Sequence, residues 1–251
     1  MTVVAVMVDP PRPGLALSEL AGTSPLTDAE AAELYAAMLK DTFIAIEGSG
    51  GELLVNYRPD ELLPGSHRTD TDPQAQLRAL AADALEDVSD VRFEPQVGSN
   101  LSARAGNTIT HLLREEGADS AAIMPGTAPL VTRATIDTAA ASLRRASVVL
   151  GPSADGLVHY AGFTDPGIDF TDAIAGTVVS RLARRASEAG LETAFIEYSP
   201  VVERGADLHT LLALLEAREI AGKSLPAFTT ARIEAIGLAV EDDDGGRIVR
   251  T

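Results

Sequence analysis

The sequence contains no cysteine. That excludes a disulfide framework, a thiolate metal site and a cysteine nucleophile. Lysine is nearly absent as well: of twenty basic residues, only Lys40 and Lys223 are lysines. No apolar run approaches the ~18 residues of a membrane-crossing helix. The first residues form an apolar run rather than a basic leader, so no secretion signal is expected. A Walker A run, a Gly-x-Gly-x-x-Gly turn, a nucleophile elbow, a His-Glu-x-x-His helix and an ordered Ser-His-Asp set are all missing.

Acid, by contrast, is abundant. Thirty-seven Asp and Glu residues against twenty Lys and Arg give a formal charge of −17. Such a field repels nucleic acid and anionic membrane. It also strains a compact chain at low ionic strength. At molar salt the screening length falls to ~3 Å and most of that repulsion vanishes. Many acids with scarce lysine therefore point to a halophilic protein of a salt-rich cytoplasm.

Apolar β-like runs alternate with helical segments along the 251 residues. Strands are expected at Thr2–Val8, Glu52–Tyr57, Val91–Phe93, Ser120–Met124, Ser147–Leu150, Leu157–Phe163 and Glu192–Tyr198, the sixth of them antiparallel. Thr27-Asp28-Ala29-Glu30 is a capping-box pattern opening a helix to about Ile46. Asp72-Pro73 opens another to about Glu86, and further helices are expected at Leu101–Glu115, Thr132–Arg144, Gly176–Ala189 and Asp207–Arg218. Repeated βα units of this size predict a three-layer α/β/α fold with a mostly parallel central sheet. The whole chain, 1–251, reads as one domain. Its tail, 229–251, reads as a helix at Thr229–Ile236 followed by a hairpin or a loose end.

In open sheets of this type, ligands sit beyond the carboxyl ends of the strands. The first such loop carries Arg12, Pro13 and Gly14, with Arg12 the only cation near and Glu19 opposed to a phosphate. Gln96-Val97-Gly98-Ser99-Asn100 enters the helix that carries Arg104, which either faces an anion at the positive helix end or pairs with a surface acid. Thr127 follows the fourth strand, at a place where a carboxylate would suit a divalent ion. Asp155 and Gly156 follow the Gly151-Pro152 turn; Asp155 either binds a metal, accepts a sugar hydroxyl or caps the turn. His159 and Tyr160 lie in the next strand, and the histidine reads as structural. Glu203 and Asp207 sit at a strand-to-helix passage, as a weak metal pair or, for Asp207, as an acid stabilising the helix dipole.

These loops, in this order, resemble a glycosyltransferase-like family associated with radical SAM and selenoprotein-like domains. Its fold is that of the nucleotide-diphospho-sugar transferases (GT-A). The resemblance runs from Val3 to about Leu238. Pro13-Gly14 with Leu20-Ala21 resembles the family's opening segment, and Ala31–Tyr35 with Leu39–Thr42 its first helix. Gln96, Gly98, Leu101 and Arg104 follow its Gln-x-Gly-x-x-Leu-Gly-x-Arg motif, with Ser102 for the second glycine. Pro129-Leu130, Gly151-Pro152 with Asp155-Gly156, and Asp207-Leu208 match three later motifs. The departures remove charge. Leu17-Ser18-Glu19 replaces a Lys-Thr-Arg run, Thr127 replaces the metal-associated Asp, and Val201-Val202-Glu203 replaces an Asp-x-Asp. Losing those cations and metal ligands costs on the order of a thousandfold in transfer rate.

The resemblance implies transfer from a nucleotide-sugar. Arg12, Pro13, Gly14, Gln96, Gly98, Arg104, Thr127 and Gly156 would bind the nucleotide, Asp155 would act on the sugar, and Glu203 with Asp207 would weakly hold Mg²⁺ or Mn²⁺. The eroded charges equally suit a catalytically silent scaffold that binds a metabolite or a protein. A nucleotidyltransferase of cofactor synthesis is a third reading. An apolar sheet edge would allow a homodimer.

Overall fold

The computed structural model of the protein describes residues 1–241 and 246–250. Seven strands form one sheet: β1 (Thr2–Val8), β2 (Glu52–Tyr57), β3 (Arg92–Pro95), β4 (Ser120–Pro125), β5 (Val148–Pro152), β6 (Val158–Phe163) and β7 (Thr193–Phe195). Their order across the sheet is β3-β2-β1-β4-β6-β5-β7. All pairings are parallel except those of β6, which runs against both β4 and β5. The expected antiparallel strand is therefore real, and the sheet is mostly parallel.

Alternation along β1 sets the layers. Val4, Val6 and Val8 face one side, and there pack α1 (Ser18–Thr23), α2 (Asp28–Glu47), α3 (Pro73–Ala82), α5 (Arg133–Ser142), α7 (Gly205–Ile220) and α8 (Ala227–Ile236). Val3 and Ala5 face the other, covered by α4 (Leu101–Thr110) and α6 (Val178–Glu188). Helix on sheet on helix gives the three-layer α/β/α architecture.

Local chemistry explains most boundaries. Thr27 and Glu30 form the reciprocal capping box that opens α2, with the Glu30 amide 3.2 Å from the Thr27 hydroxyl. Asp72 caps α3 with Pro73 in its first turn. Helix α3 stops at Ala82 rather than near Glu86, because Asp83, Glu86, Asp87 and Asp90 crowd the negative end of the helix dipole. Helix α4 continues as one π-helical turn, His111–Glu115. Strand β7 is shorter than its apolar run, since it pairs only with β5 and its chain then leaves the ladder toward Pro200. Helix α1 had no start signal: it follows Leu17 in a left-handed conformation (φ 53°) with no side-chain cap.

The tail carries a two-stranded antiparallel pair. β8 (Leu238–Glu241) pairs antiparallel with β9 (Arg247–Arg250), while residues 242–245 between them lie outside the described residues. Among the described residues, no helix is long and apolar enough to cross a membrane.

Candidate functional site

Strands β1 and β4 are neighbours, but their successors run to opposite sides of the sheet. Such a switch point opens a crevice at the carboxyl ends of the strands. Here it is a cleft of about 560 Å³. Its floor is apolar, including Met7, Val8, Ile123 and Met124, with Leu157 and Val158 from the start of the reversed strand β6. Five charged side chains line it: Asp9, Glu19, Arg58, Arg104 and Glu203.

The cations stand on the β2–β3 side. Arg58 directly follows β2 and grips Asp9, which directly follows β1, with Nε 2.8 Å from Oδ1 and Nη2 2.9 Å from Oδ2. The Asp9 amide donates to the Tyr35 hydroxyl at 3.2 Å. Burial pushes the Asp9 carboxyl up, against the pull of Arg58 and Arg104. Burial and the Asp9 charge push the Tyr35 phenol far up.

Arg104 lies in the first turns of α4, whose end is capped by the Asn100 side chain on the Ala103 amide at 2.9 Å. Gly98 fixes how the entering loop crosses that end. It has φ 139°, and a Cβ there would lie 2.9 Å from the Arg104 amide nitrogen. Gln96 knits the strand ends above the cleft: its amide donates to the Tyr57 carbonyl at 2.7 Å and its side chain to the Asn56 carbonyl at 2.8 Å. Among the described residues Arg104 has no ion-pair partner, and its buried Nε has no hydrogen-bond acceptor. Burial, then the neighbouring Arg58 charge, lowers its guanidinium pKa.

The acids stand on the β4 side. Thr127, two residues beyond β4, accepts the Val202 amide on its carbonyl at 2.8 Å, which brings Glu203 to the cleft. The Thr127 hydroxyl is buried and, among the described residues, without a partner. Glu203 is open to solvent at the mouth yet closely surrounded by protein; that desolvation, then Asp207 and Glu19, raises its carboxyl pKa. Asp207 does not line the cleft. Its Oδ2 accepts the amides of Glu203 (3.1 Å) and Arg204 (2.9 Å) at the start of α7.

Several of the residues expected at the site stand elsewhere. Arg12 is buried and saturated: it donates to Asp60 (3.0 Å), Gln76 (3.2 Å) and the carbonyls of His67 and Thr71 (2.7 Å each), outside the cleft. Pro13 and Gly14 also lie outside it, although Leu15–Glu19 of the same loop line it. Asp155, in a left-handed turn between β5 and β6, is exposed and pairs with Arg204, whose Nε also reaches Glu19 at 4.0 Å. Gly156 follows at φ 75°, where a Cβ would meet Thr177 at 3.2 Å. Asp9 and Arg58 were not expected from the sequence. Both directly follow a parallel strand, so the same carboxyl-end rule finds them.

A divalent ion needs several hard oxygens. In the cleft Asp9 is taken by Arg58 and Thr127 is neutral, which leaves Glu203 and Glu19 as the other carboxylates, while Asp207, outside it, serves backbone amides. Among the described residues, one group of three potential ligands lies within 4.8 Å: Glu94, His111 and Glu116. It is far from a free cage, since Arg92 binds both glutamates, at 2.6 Å for Glu116.

Known proteins share parts of this geometry. Residues 69–175, less than half of the chain, match a family described as uncharacterized proteins conserved in bacteria (DUF2064). No curated protein matches the chain. A solved structure assigned to the nucleotide-diphospho-sugar transferases, from Desulfovibrio desulfuricans G20, superposes with a TM-score of 0.75 at 19% identity, over 93% of this chain and 95% of that one. The fold is GT-A-like. The GT-A-like scaffold also superposes on a 4-diphosphocytidyl-2C-methyl-D-erythritol synthase from Anaerococcus prevotii DSM 20548, with a TM-score of 0.51 at 12% identity, over 86% of this chain and 96% of that one. At such identities the likeness concerns architecture alone.

Proposed function

We propose that the switch-point cleft binds a nucleotide-activated small molecule, a nucleoside diphospho-sugar or its nucleotide part, and that the chain works as a binding scaffold without resident metal chemistry. Arg104 takes a phosphate, with Arg58 beside it. The observation that carries this reading is Arg104 itself. In a chain of net charge −17, this guanidinium lines a cleft and has no carboxylate partner among the described residues. A partly desolvated cation that shares the pull of Asp9 with Arg58 and has no ion pair of its own is costly, and an anionic ligand lowers the cost. Gln96 and Gly98 hold the strand ends and the helix start around it.

With Asp9 and Asp207 occupied, the carboxylates left in the cleft, Glu203 and Glu19, make a poor set for Mg²⁺ or Mn²⁺. The transferase reading would need Asp155 to leave Arg204 and Asp207 to leave its two amides. Membership of the glycosyltransferase-like family associated with radical SAM domains, a salt-rich cytoplasm and a homodimer belong to the same proposal and rest on sequence alone.

Thermal shift in high-salt buffer tests it, using UDP-, GDP- and CDP-sugars and nucleoside triphosphates in EDTA or with Mg²⁺ or Mn²⁺. Stabilisation in EDTA is expected. Arg104→Leu should weaken binding by about 1.5–3 kcal/mol, roughly 10- to 100-fold in Kd. Stabilisation that appears only with metal would transfer the case to group-transfer catalysis. A flat response to every compound would end the nucleotide reading.

A further inference from the structure

The cleft contains two unpaired charges of opposite sign. Arg104 has no carboxylate within ion-pair distance, only the longer-range pull of Asp9, which Arg58 holds, and Glu203 has no cation in contact, among the described residues. Both line the same cavity, yet they do not pair with each other. Topology keeps them apart: Arg104 comes from α4 beyond β3, and Glu203 from the chain tied to Thr127 beyond β4. The cationic wall and the acidic wall thus flank the switch point.

A second feature marks the acidic wall. Thr127 is 7% exposed and lines the cleft, but among the described residues its hydroxyl has no hydrogen-bond partner. A buried hydroxyl of this kind is normally satisfied. Its neighbours on that wall, Glu203 and Glu19, are both negative. The nearby cation, Arg204, is held by Asp155 and faces Asp207 at 3.9 Å, so it does not neutralise Glu203.

We infer that the ligand bears charges of both signs: a phosphate seated on Arg104, and an ammonium group seated between Glu203 and the Thr127 hydroxyl. Complementary potentials of this kind set which ligand is accepted. The apolar floor between the walls takes the uncharged body. This rests on the nucleotide-binding reading and narrows it to amino-bearing substrates. An ammonium replaces the divalent cation that the donor set does not hold.

The test is calorimetric titration in 2 M KCl with EDTA. High salt screens the general attraction of a −17 surface for any cation, and screens a partly buried pair less. The probes are UDP-glucosamine against UDP-glucose, and phosphoethanolamine against ethyl phosphate. Each pair differs by one ammonium. The amino member should bind roughly tenfold tighter. Glu203→Gln should abolish that preference by weakening the amino member, while the member without the amine binds no less tightly than before. Glu203 is exposed, so the variant keeps its fold; Thr127→Val, which should lower the preference by about threefold, gives a second readout. Equal affinity within the pairs, a preference that survives Glu203→Gln, or one that needs Mg²⁺ would overturn the inference while leaving nucleotide binding intact. No binding of any probe would overturn both.

Discussion

At the scale of single residues, the structure separates groups that look alike in the sequence. Arg12 and Arg104 both stand beyond strand ends where a phosphate would suit, Arg12 in a loop and Arg104 at the start of α4. Arg12 is consumed by partners 48 to 64 positions away, including Asp60 and Gln76, and no local pattern reveals them. Arg104 was legible because its helix start and Gly98 are local. Asp155 was legible as a turn residue, but its pairing with Arg204 is a tertiary fact. His159 is a buried imidazole whose Nε2 meets the Glu197 carbonyl at 2.9 Å and whose pKa is lowered by desolvation. The unfolded chain protonates it near the ordinary 6.5, and the folded chain resists. Stability should therefore fall as pH drops below 6.5, by up to ~1.4 kcal/mol per pH unit from this one group. The acids Asp9, Asp41 and Glu203, raised by burial, act with the opposite sign upward from their ordinary values, so the part of the histidine is read from the difference between the wild-type chain and a variant without it. Unfolding in urea between pH 7.5 and 5.5 checks this. His159→Gln should flatten the slope, and an unchanged slope would refute the assignment.

At the scale of elements, most of the sheet and the long helices could be read from capping chemistry and alternation. The misses have physical causes. Helix α1 lacks a cap, β7 is an edge strand with one partner, and α3 is cut short by acids at its end. Helix α8 shows a device that sequence hides. Its N-terminus has no side-chain cap of its own. Asp41 of α2 supplies one, accepting the Phe228 and Thr229 amides at 3.1 and 2.7 Å from 187 and 188 residues away. Removing an N-cap costs about 1 kcal/mol, up to ~2. Asp41→Ala should lower global stability by that amount and speed hydrogen exchange in 227–236 first. Uniform exchange along the chain would argue against a cap that acts at a distance.

For the molecule as a whole, charge governs the expected behaviour. Exposed ion pairs contribute little and weaken with salt. Repulsion within a −17 chain weakens with salt too, and it outweighs the exposed pairs. Raising KCl from 0.1 to 2 M should therefore raise the melting temperature; a curve flat in salt would show that the acidity has no halophilic role. The strand order has one more consequence. Because β6 runs backwards, the chain from β5 to β6 is a short bend, Ser153 to Leu157, that stays beside the switch-point cleft instead of crossing back to the far end of the sheet. Lengthening or recolouring that short bend changes what may enter while the β-ladder on either side stays registered. Selectivity in this scaffold can thus drift by tinkering at one doorway, with the supporting framework untouched.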